Sequence, residues 1–255
     1  VHLFSRPLLL LIYTGWYIFE CLEKMSKAIQ ILEKYSPCDV ADALLKFGVK
    51  SGGFLPNLQR FSTGTKPTVV GKAYTVLYAP LSDSRPAIKD GYIDFIPEES
   101  VVVIALTKEL QTPNAPFVKV NNALYGGLMS TRANYLGAKG TVVFGRIRDV
   151  EEHRDLKYPV FAYGLGIAAP GSVVKVVGVN VPLEIEVNEG EFEVIEPGEL
   201  ISADENGVAR IPKDLSIDDL TSYIPNRVEA DKLVAQDIKE GKLALPSQKL
   251  RRSGL

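Results

Sequence analysis

The sequence predicts an α/β fold, and three observations carry that prediction. Val101–Leu106 and Val160–Tyr163 are unbroken apolar runs, the pattern of strands buried on both faces. Helical patterns at Asn121–Leu136 and Val150–Lys157 alternate with them and with a third short run, Thr141–Phe144. From Gly164 the pattern becomes a series of short strands, and the chain then closes in helix. The 255 residues are 46% hydrophobic, enough for a sizeable core. A net charge of −2 without a basic face argues against a nucleic-acid partner.

Residues 1–24 do not match the rest of the chain. Leu8–Phe19 is apolar but shorter than the roughly 20 residues of a membrane-spanning helix. Glu20, Cys21, Leu22, Glu23 and Lys24 come after it, where a signal peptide would place small residues. The segment is expected to be extraneous or a poorly ordered extension, with Met25 as the native start and no membrane attachment. The organised domain is expected to span 25–241. Residues 242–255 read as a tail, with Lys249, Arg251 and Arg252 frayed and solvated.

Ser26–Tyr35 reads as an amphipathic helix through Ile29, Ile31 and Leu32. Ser36-Pro37-Cys38-Asp39 is a helix start: a serine cap, proline at the first helical position and an acid in the first turn. Gly48 closes that helix. Val69–Ala79 is a long strand in which Gly71 marks a bulge or a close backbone approach. Asp83–Asp90 and Thr107–Pro116 read as loops, and Asn121–Leu136 as a helix interrupted at Gly126-Gly127. The late strands are Val173–Val181, Leu183–Val187, Phe192–Ile195, Leu200–Ala203 and Val208–Ile211, separated by turn residues. Asp214–Ile224 and Pro225–Glu240 read as two helices split at the proline.

Few residue types remain for chemistry. Cys21 and Cys38 are too few for a disulfide framework or a thiolate zinc site, and they fit a reducing, cytoplasmic setting. Cys38 reads as a small buried residue. Two histidines, His2 and His153, do not support a His-rich metal site or a Ser-His-Asp triad. His153 stands among charges and reads as a solvated helix residue. Gly164-Leu165-Gly166 is followed by strands rather than the helix a dinucleotide fingerprint needs. Asp204-Glu205-Asn206-Gly207 lacks the spacing of a calcium loop and reads as a hairpin turn.

What stands out is Gly126-Gly127 followed by Arg148-Asp149-x-x-Glu152. A glycine-opened helix offers backbone N–H groups to an anion. The arginine offers a cation to an oxyanion and the aspartate a carboxylate to a metal. In α/β sheets ligands collect at the carboxyl ends of strands, where Arg148 and Asp149 fall. A plainer reading makes Asp149 a helix N-cap and Glu152 its capping-box partner. The two readings are compatible.

The run from Tyr125 to Ala133, the pattern Gly137-Ala138-x-Gly140-Thr141-Val142-Val143-x-Gly145-Arg146-x-Arg148-Asp149-x-x-Glu152, and Tyr158–Ala162 resemble the RraA-like family. Its enzymatic branch is the 4-hydroxy-4-methyl-2-oxoglutarate aldolases, which also decarboxylate oxaloacetate. Gly127-x20-Arg148-Asp149-x2-Glu152 fits that branch's signature. The resemblance runs from about Ser26 to Gly241, through Asp39–Leu44, Gly71-x-Ala73-x-Thr75-Val76 and the run from Pro197 to Pro212. Glu199 stands where the family usually has Asp, and the Gly126–Ala133 wording resembles fungal members.

The resemblance implies a β/β/α swivelling-type domain, with mixed sheets flanked by helices, assembled as a homotrimer or homohexamer. It implies Asp149 as the ligand of Mg²⁺ or Mn²⁺ and Arg148 as the catalytic group on the keto oxygen of a 2-oxo acid. Backbone amides around Gly126, Gly127, Leu128 and Met129 would bind the substrate carboxylate. Glu152, Glu229 and Asp231 would orient the metal's waters, one of the latter two reaching in from a neighbouring subunit. The implied activity is a metal-dependent lyase, a class II aldolase or oxaloacetate decarboxylase yielding pyruvate. The family's other branch binds and regulates a ribonuclease without this activity. It lacks the aspartate after the arginine, so Asp149 favours the enzyme.

Overall fold

The computed structural model describes residues 23–255. His2, Cys21, the Leu8–Phe19 run and nearly all of the expected extension lie outside the described residues. The described residues form two compact units, one of residues 35–215 and one that joins residues 23–34 to residues 216–255. Helix α1 (residues 23–32) belongs to the second unit.

The larger unit opens with α2 (Pro37–Lys46), which starts as its sequence demands. Ser36 Oγ accepts the Asp39 N–H (3.2 Å) and Asp39 Oδ2 accepts the Ser36 N–H (2.9 Å), a complete capping box. A cap of this kind contributes about 1 kcal/mol. Gly48, at φ 80°, ends the helix. The strands β1 (Phe54–Leu55), β2 (Gln59–Ser62), β3 (Val69–Pro80) and β4 (Ser100–Leu106) follow. Gly71 is a close approach: a Cβ there would lie 2.7 Å from the Glu99 carbonyl oxygen. Next come β5 (Ala123–Tyr125), α3 (Gly127–Tyr135), β6 (Gly140–Ile147), α4 (Val150–Asp155) and β7 (Val160–Leu165). The unit closes with β8 (Val174–Val179), β9 (Leu183–Asn188), β10 (Glu191–Ile195), β11 (Leu200–Asp204) and β12 (Gly207–Ile211). The Asp204–Gly207 segment is the expected hairpin turn, with Asp204 Oδ1 accepting the Asn206 N–H (2.7 Å).

The main sheet has the strand order β1-β12-β11-β3-β4-β6-β7-β2. Its centre, β3-β4-β6-β7, is parallel, and its flanks are antiparallel. Strand β5 adds to β6 in parallel, and β8 adds to β3. Strand β4 is buried along its whole length, as a strand covered on both faces must be. Val102, Ile104 and Leu106 join Val143, Ile147 and Ala133 on the side covered by α3 and α4. Val101, Val103 and Ala105 join Val142 and Phe144 on the side covered by Leu183, Ile185 and Ile195 of the β9–β10 hairpin. The result is the expected mixed sheet flanked by helices, in β/β/α layers.

The smaller unit contains α1, α5 (Ile217–Lys239) and α6 (Ala244–Arg251). Asp237, buried in α5, accepts from Lys242 Nζ (2.7 Å), Ser247 Oγ (2.5 Å) and Arg251 Nε and Nη2 (2.9 Å each). Arg251, with Lys242 and Ser247, holds that carboxyl well below the usual carboxylate range.

The structure corrects four expectations about these elements and the cysteine. Residues 123–125 are a strand, not the start of a helix, because three buried residues are too few to display a period. Pro225 does not split the last long helix: Leu220, Ile224, Ala230 and Val234 form one buried stripe across it, and Asn226 Nδ2 bonds back to the Ser222 carbonyl (3.0 Å). The tail is helix α6, its arginines engaged with Asp237 and, for Arg252, with Asp231. Cys38 is exposed, and burial of its surroundings, with Asp204, Asp39 and Asp42, raises its thiol pKa.

Candidate active site at the ends of two parallel strands

Strands β5 and β6 pair in parallel with Tyr125 opposite Ile147, so their carboxyl ends lie side by side. The next residues are Gly126 on one chain segment and Arg148 on the other. The Arg148 N–H donates to the Tyr125 carbonyl (3.0 Å), extending the ladder by one bond. This pairing brings together residues some twenty positions apart in the sequence.

The contacts here are tight. A Cβ on Gly126 would fall 2.7 Å from Asp149 Oδ2 and 3.1 Å from Arg148 Nε. A Cβ on Gly127 would fall 1.8 Å from Glu152 Oε2 and 2.7 Å from its Cβ. Only glycine lets the arginine and the two carboxylates approach this backbone. Gly126, Gly127, Arg148, Asp149 and Glu152 therefore converge, as their spacing predicts.

Asp149 occupies the N-cap position of α4 without capping it. Its backbone is left-handed (φ 60°, ψ 46°), and its side chain makes no cap bond. Its Oδ2 instead accepts the Gly127 N–H (3.2 Å) and lies 3.3 Å from Arg148 Nε. The capping-box reading thus holds for position but not for bonding, in contrast to Ser36 and Asp39. Asp149 Oδ1 and both terminal nitrogens of Arg148 have no hydrogen-bond partner among the described residues. Both side chains are about one-third exposed (38% and 35%), so these atoms are open to a ligand.

At the start of α3, Met129 and Ser130 donate their N–H groups to the Gly126 carbonyl (3.0 and 3.2 Å). Gly127 N–H is taken by Asp149. That leaves the Leu128 N–H, without an acceptor among the described residues, as the amide available to an anion. Of the four expected amides, those of Gly127 and Met129 are already engaged, and Gly126 is buried whereas Leu128 is exposed.

Glu229 and Asp231 lie on α5, in the smaller unit. Glu229 pairs with Lys232 (3.1 Å), and Asp231 is clasped by Arg227 (3.0 Å) and Arg252 (2.6 Å). Within one chain they belong to a different unit from the five convergent residues.

Two neighbours of the site escaped the sequence reading. His153 is fully buried, not solvated, and its ring stacks on Tyr125 at 5.9 Å. The signal was present: Val150, His153 and Leu156 share one face of α4 and line the core. Neither ring nitrogen has a hydrogen-bond partner among the described residues. Burial lowers its pKa, only partly offset by the Arg148 backbone, Asp149 and Glu152. The folded state holds the ring neutral to a lower pH than the unfolded chain, which binds a proton below about pH 6.5. Stability is therefore full above that pH and falls as the pH drops through it. Urea midpoints measured between about pH 8 and about pH 5 should decline for the native protein and decline less for His153→Phe. Equal slopes would contradict this account.

Tyr125 is the second. It is 2% exposed, and burial pushes its pKa up to about 12 despite bonds from Ser130, Thr141 and Tyr158.

A family model described as aldolase/RraA matches residues 37–210 of this chain. The chain belongs to the RraA-like family. This RraA-like chain is 31% identical over 194 residues to protein DlpA of Legionella pneumophila. That match covers 75% of the chain but 28% of DlpA, so the chain spans under a third of that relative. It is 37% identical over 91 residues to a Halalkalibacterium halodurans protein provisionally named a 4-hydroxy-4-methyl-2-oxoglutarate aldolase, covering 36% of the chain and 40% of that protein. The crystal structure of an uncharacterised Pseudomonas syringae protein superposes with a TM-score of 0.71 at 24% identity, over 88% of this chain and 97% of that one. The RraA-like fold is thus matched along most of the chain. No helix among the described residues is long and apolar enough to cross a membrane.

Proposed function

We propose that this RraA-like chain is a divalent-metal-dependent carbon–carbon lyase for 2-oxo acids. It cleaves 4-hydroxy-4-methyl-2-oxoglutarate in a retro-aldol reaction, decarboxylates oxaloacetate to pyruvate, or does both. The supporting observation is the Asp149 carboxylate, half committed to Gly127 and Arg148, with its other oxygen open beside an open guanidinium.

The donor chemistry suits Mg²⁺ or Mn²⁺. Among the described residues no three acidic, His or Cys side chains converge on one point. A single hard carboxylate fits magnesium, which keeps most of its waters. Asp149 would hold the ion, and Glu152 would accept hydrogen bonds from its waters. Bound there, the ion supplies Lewis acidity toward the oxygens of the 2-oxo acid.

The rest of the work falls to the chain. Leu128 N–H, at the positive end of α3, holds the substrate carboxylate. The terminal nitrogens of Arg148 hold the oxyanion that grows on the keto oxygen as the carbon–carbon bond breaks. Retro-aldol cleavage and decarboxylation leave the electron pair on the same oxygen, so one anion site serves both. Copies of the chain assemble as a homotrimer or homohexamer, in which Glu229 or Asp231 of one subunit serves the site of the next.

Purified protein with Mg²⁺ and oxaloacetate, or the methylated aldol substrate, should release pyruvate. Chelation should stop the release, and Mg²⁺ or Mn²⁺ should restore it. Pyruvate formed no faster than in metal-containing buffer alone would overturn the reading.

A further inference from the structure

Tyr125 contacts each element of the candidate site. It runs directly into Gly126. Its carbonyl accepts the Arg148 N–H (3.0 Å), which fixes the residue bearing the guanidinium. Its Oη accepts from Ser130 Oγ (3.2 Å), and Ser130 closes the first turn of α3 through its own N–H to Gly126. Its ring stacks on His153 of α4, the helix that begins at Asp149. On the far side Thr141 Oγ1 bonds to the same phenol oxygen (3.1 Å) and to Tyr158 Oη (3.1 Å), anchoring it to the sheet.

A 2-oxo acid presents its carboxylate and keto oxygen at a fixed separation. The distance that must be held is therefore that between the Leu128 amide and the Arg148 guanidinium. We propose that Tyr125 is a positioning residue that sets this distance, its phenol fixing the first turn of α3 while its carbonyl fixes Arg148; the proposal rests on the reading of the site as one for 2-oxo acids. Without the phenol bond the turn bearing Leu128 loses its tether to strand β5, whose backbone pairing with β6 holds Tyr125 whether or not Thr141 bonds to the phenol. The carboxylate is then held less well in the ground state and the transition state alike, which raises KM and leaves kcat nearly unchanged.

Three variants separate positioning from general loosening of the core. Tyr125→Phe keeps the ring and its stack but loses the hydroxyl. Ser130→Ala cuts the same bond from the α3 side. Thr141→Val cuts the sheet anchor and leaves the Tyr125–Ser130 bond. Tyr125→Phe and Ser130→Ala should each raise KM for oxaloacetate about ten-fold with kcat within about two-fold, the size of one lost hydrogen bond. The KM of the double variant should be no worse than that of either alone, because both single variants remove the same Ser130–Tyr125 bond. Thr141→Val should lower the melting temperature and leave KM in place. An active native protein whose KM is unmoved by Tyr125→Phe, or moved equally by Thr141→Val, would overturn the positioning role alone. Should the native protein release no pyruvate, calorimetric binding of oxalate with Mg²⁺ gives the independent readout. Binding about ten-fold weaker in Tyr125→Phe supports the role; equal binding, or none by the native protein, overturns it.

Discussion

Asp149→Asn should reduce metal-dependent pyruvate release to the level of buffer and metal, while the protein stays folded. Asparagine tolerates the left-handed conformation that residue 149 adopts (φ 60°), so the turn survives and only the charge is lost. Asp149→Ala should abolish turnover equally but melt lower, since alanine in that conformation costs about 1 kcal/mol or more. Arg148→Ala removes the guanidinium proposed to face the developing oxyanion. Loss of one such donor lowers kcat by about 100- to 1,000-fold. Steady-state pyruvate assays with melting curves on each variant check these outcomes. Native rates in either the Asp149 or the Arg148 variants would show that the reaction takes place elsewhere.

Gly127→Ala should be nearly as damaging, although it removes nothing chemical. The added methyl would lie 1.8 Å from Glu152 Oε2 and 2.7 Å from Glu152 Cβ. A carboxylate tip can swing aside, but a Cβ moves only with its helix, so α4 must shift and carry Asp149 with it. Overpacking of this kind costs about 1–3 kcal/mol. A displacement near 1 Å can cost about 100-fold in rate. The expected result is a loss of that order in kcat/KM with a modest fall in stability. Adding Glu152→Ala removes the closest clash and should recover part of the stability. A Gly127→Ala protein with native kcat/KM would show that the close approach is incidental.

Much of the fold and the site was legible in the chain. The buried strands β4 and β7 announce themselves as apolar runs, and α2 by its serine–proline–acid start. The convergence of Gly126 and Gly127 with Arg148, Asp149 and Glu152 was legible as a spacing because β5 and β6 pair in parallel and end together. The strand that makes that pairing, Ala123–Tyr125, was not legible: three buried residues carry no period, and the glycines beside them read equally well as a break in a helix. His153 and Tyr125 were missed for a different reason. Polar residues are presumed exposed, and only the packing of α4 against the core turns His153 inward. Pro225 misled because its local cost is overridden by a buried stripe that continues on both sides of it. That Asp149 sits at an N-cap position without capping comes from its left-handed backbone, which local composition does not specify.

The left-handed turn at residue 149 also bears on how such chains diverge. Aspartate and asparagine codons differ by one base, and both residues suit this backbone. A duplicated gene could exchange a charged turn for a neutral one in a single mutational step, with no repacking of the sheet, of α3 or of the glycine pair. The surface would keep its shape and lose the charge proposed to hold a cation. Chemistry and scaffold are thus separable by inheritance at this one position, so a family built on this turn can hold catalysts and non-catalytic binding proteins side by side.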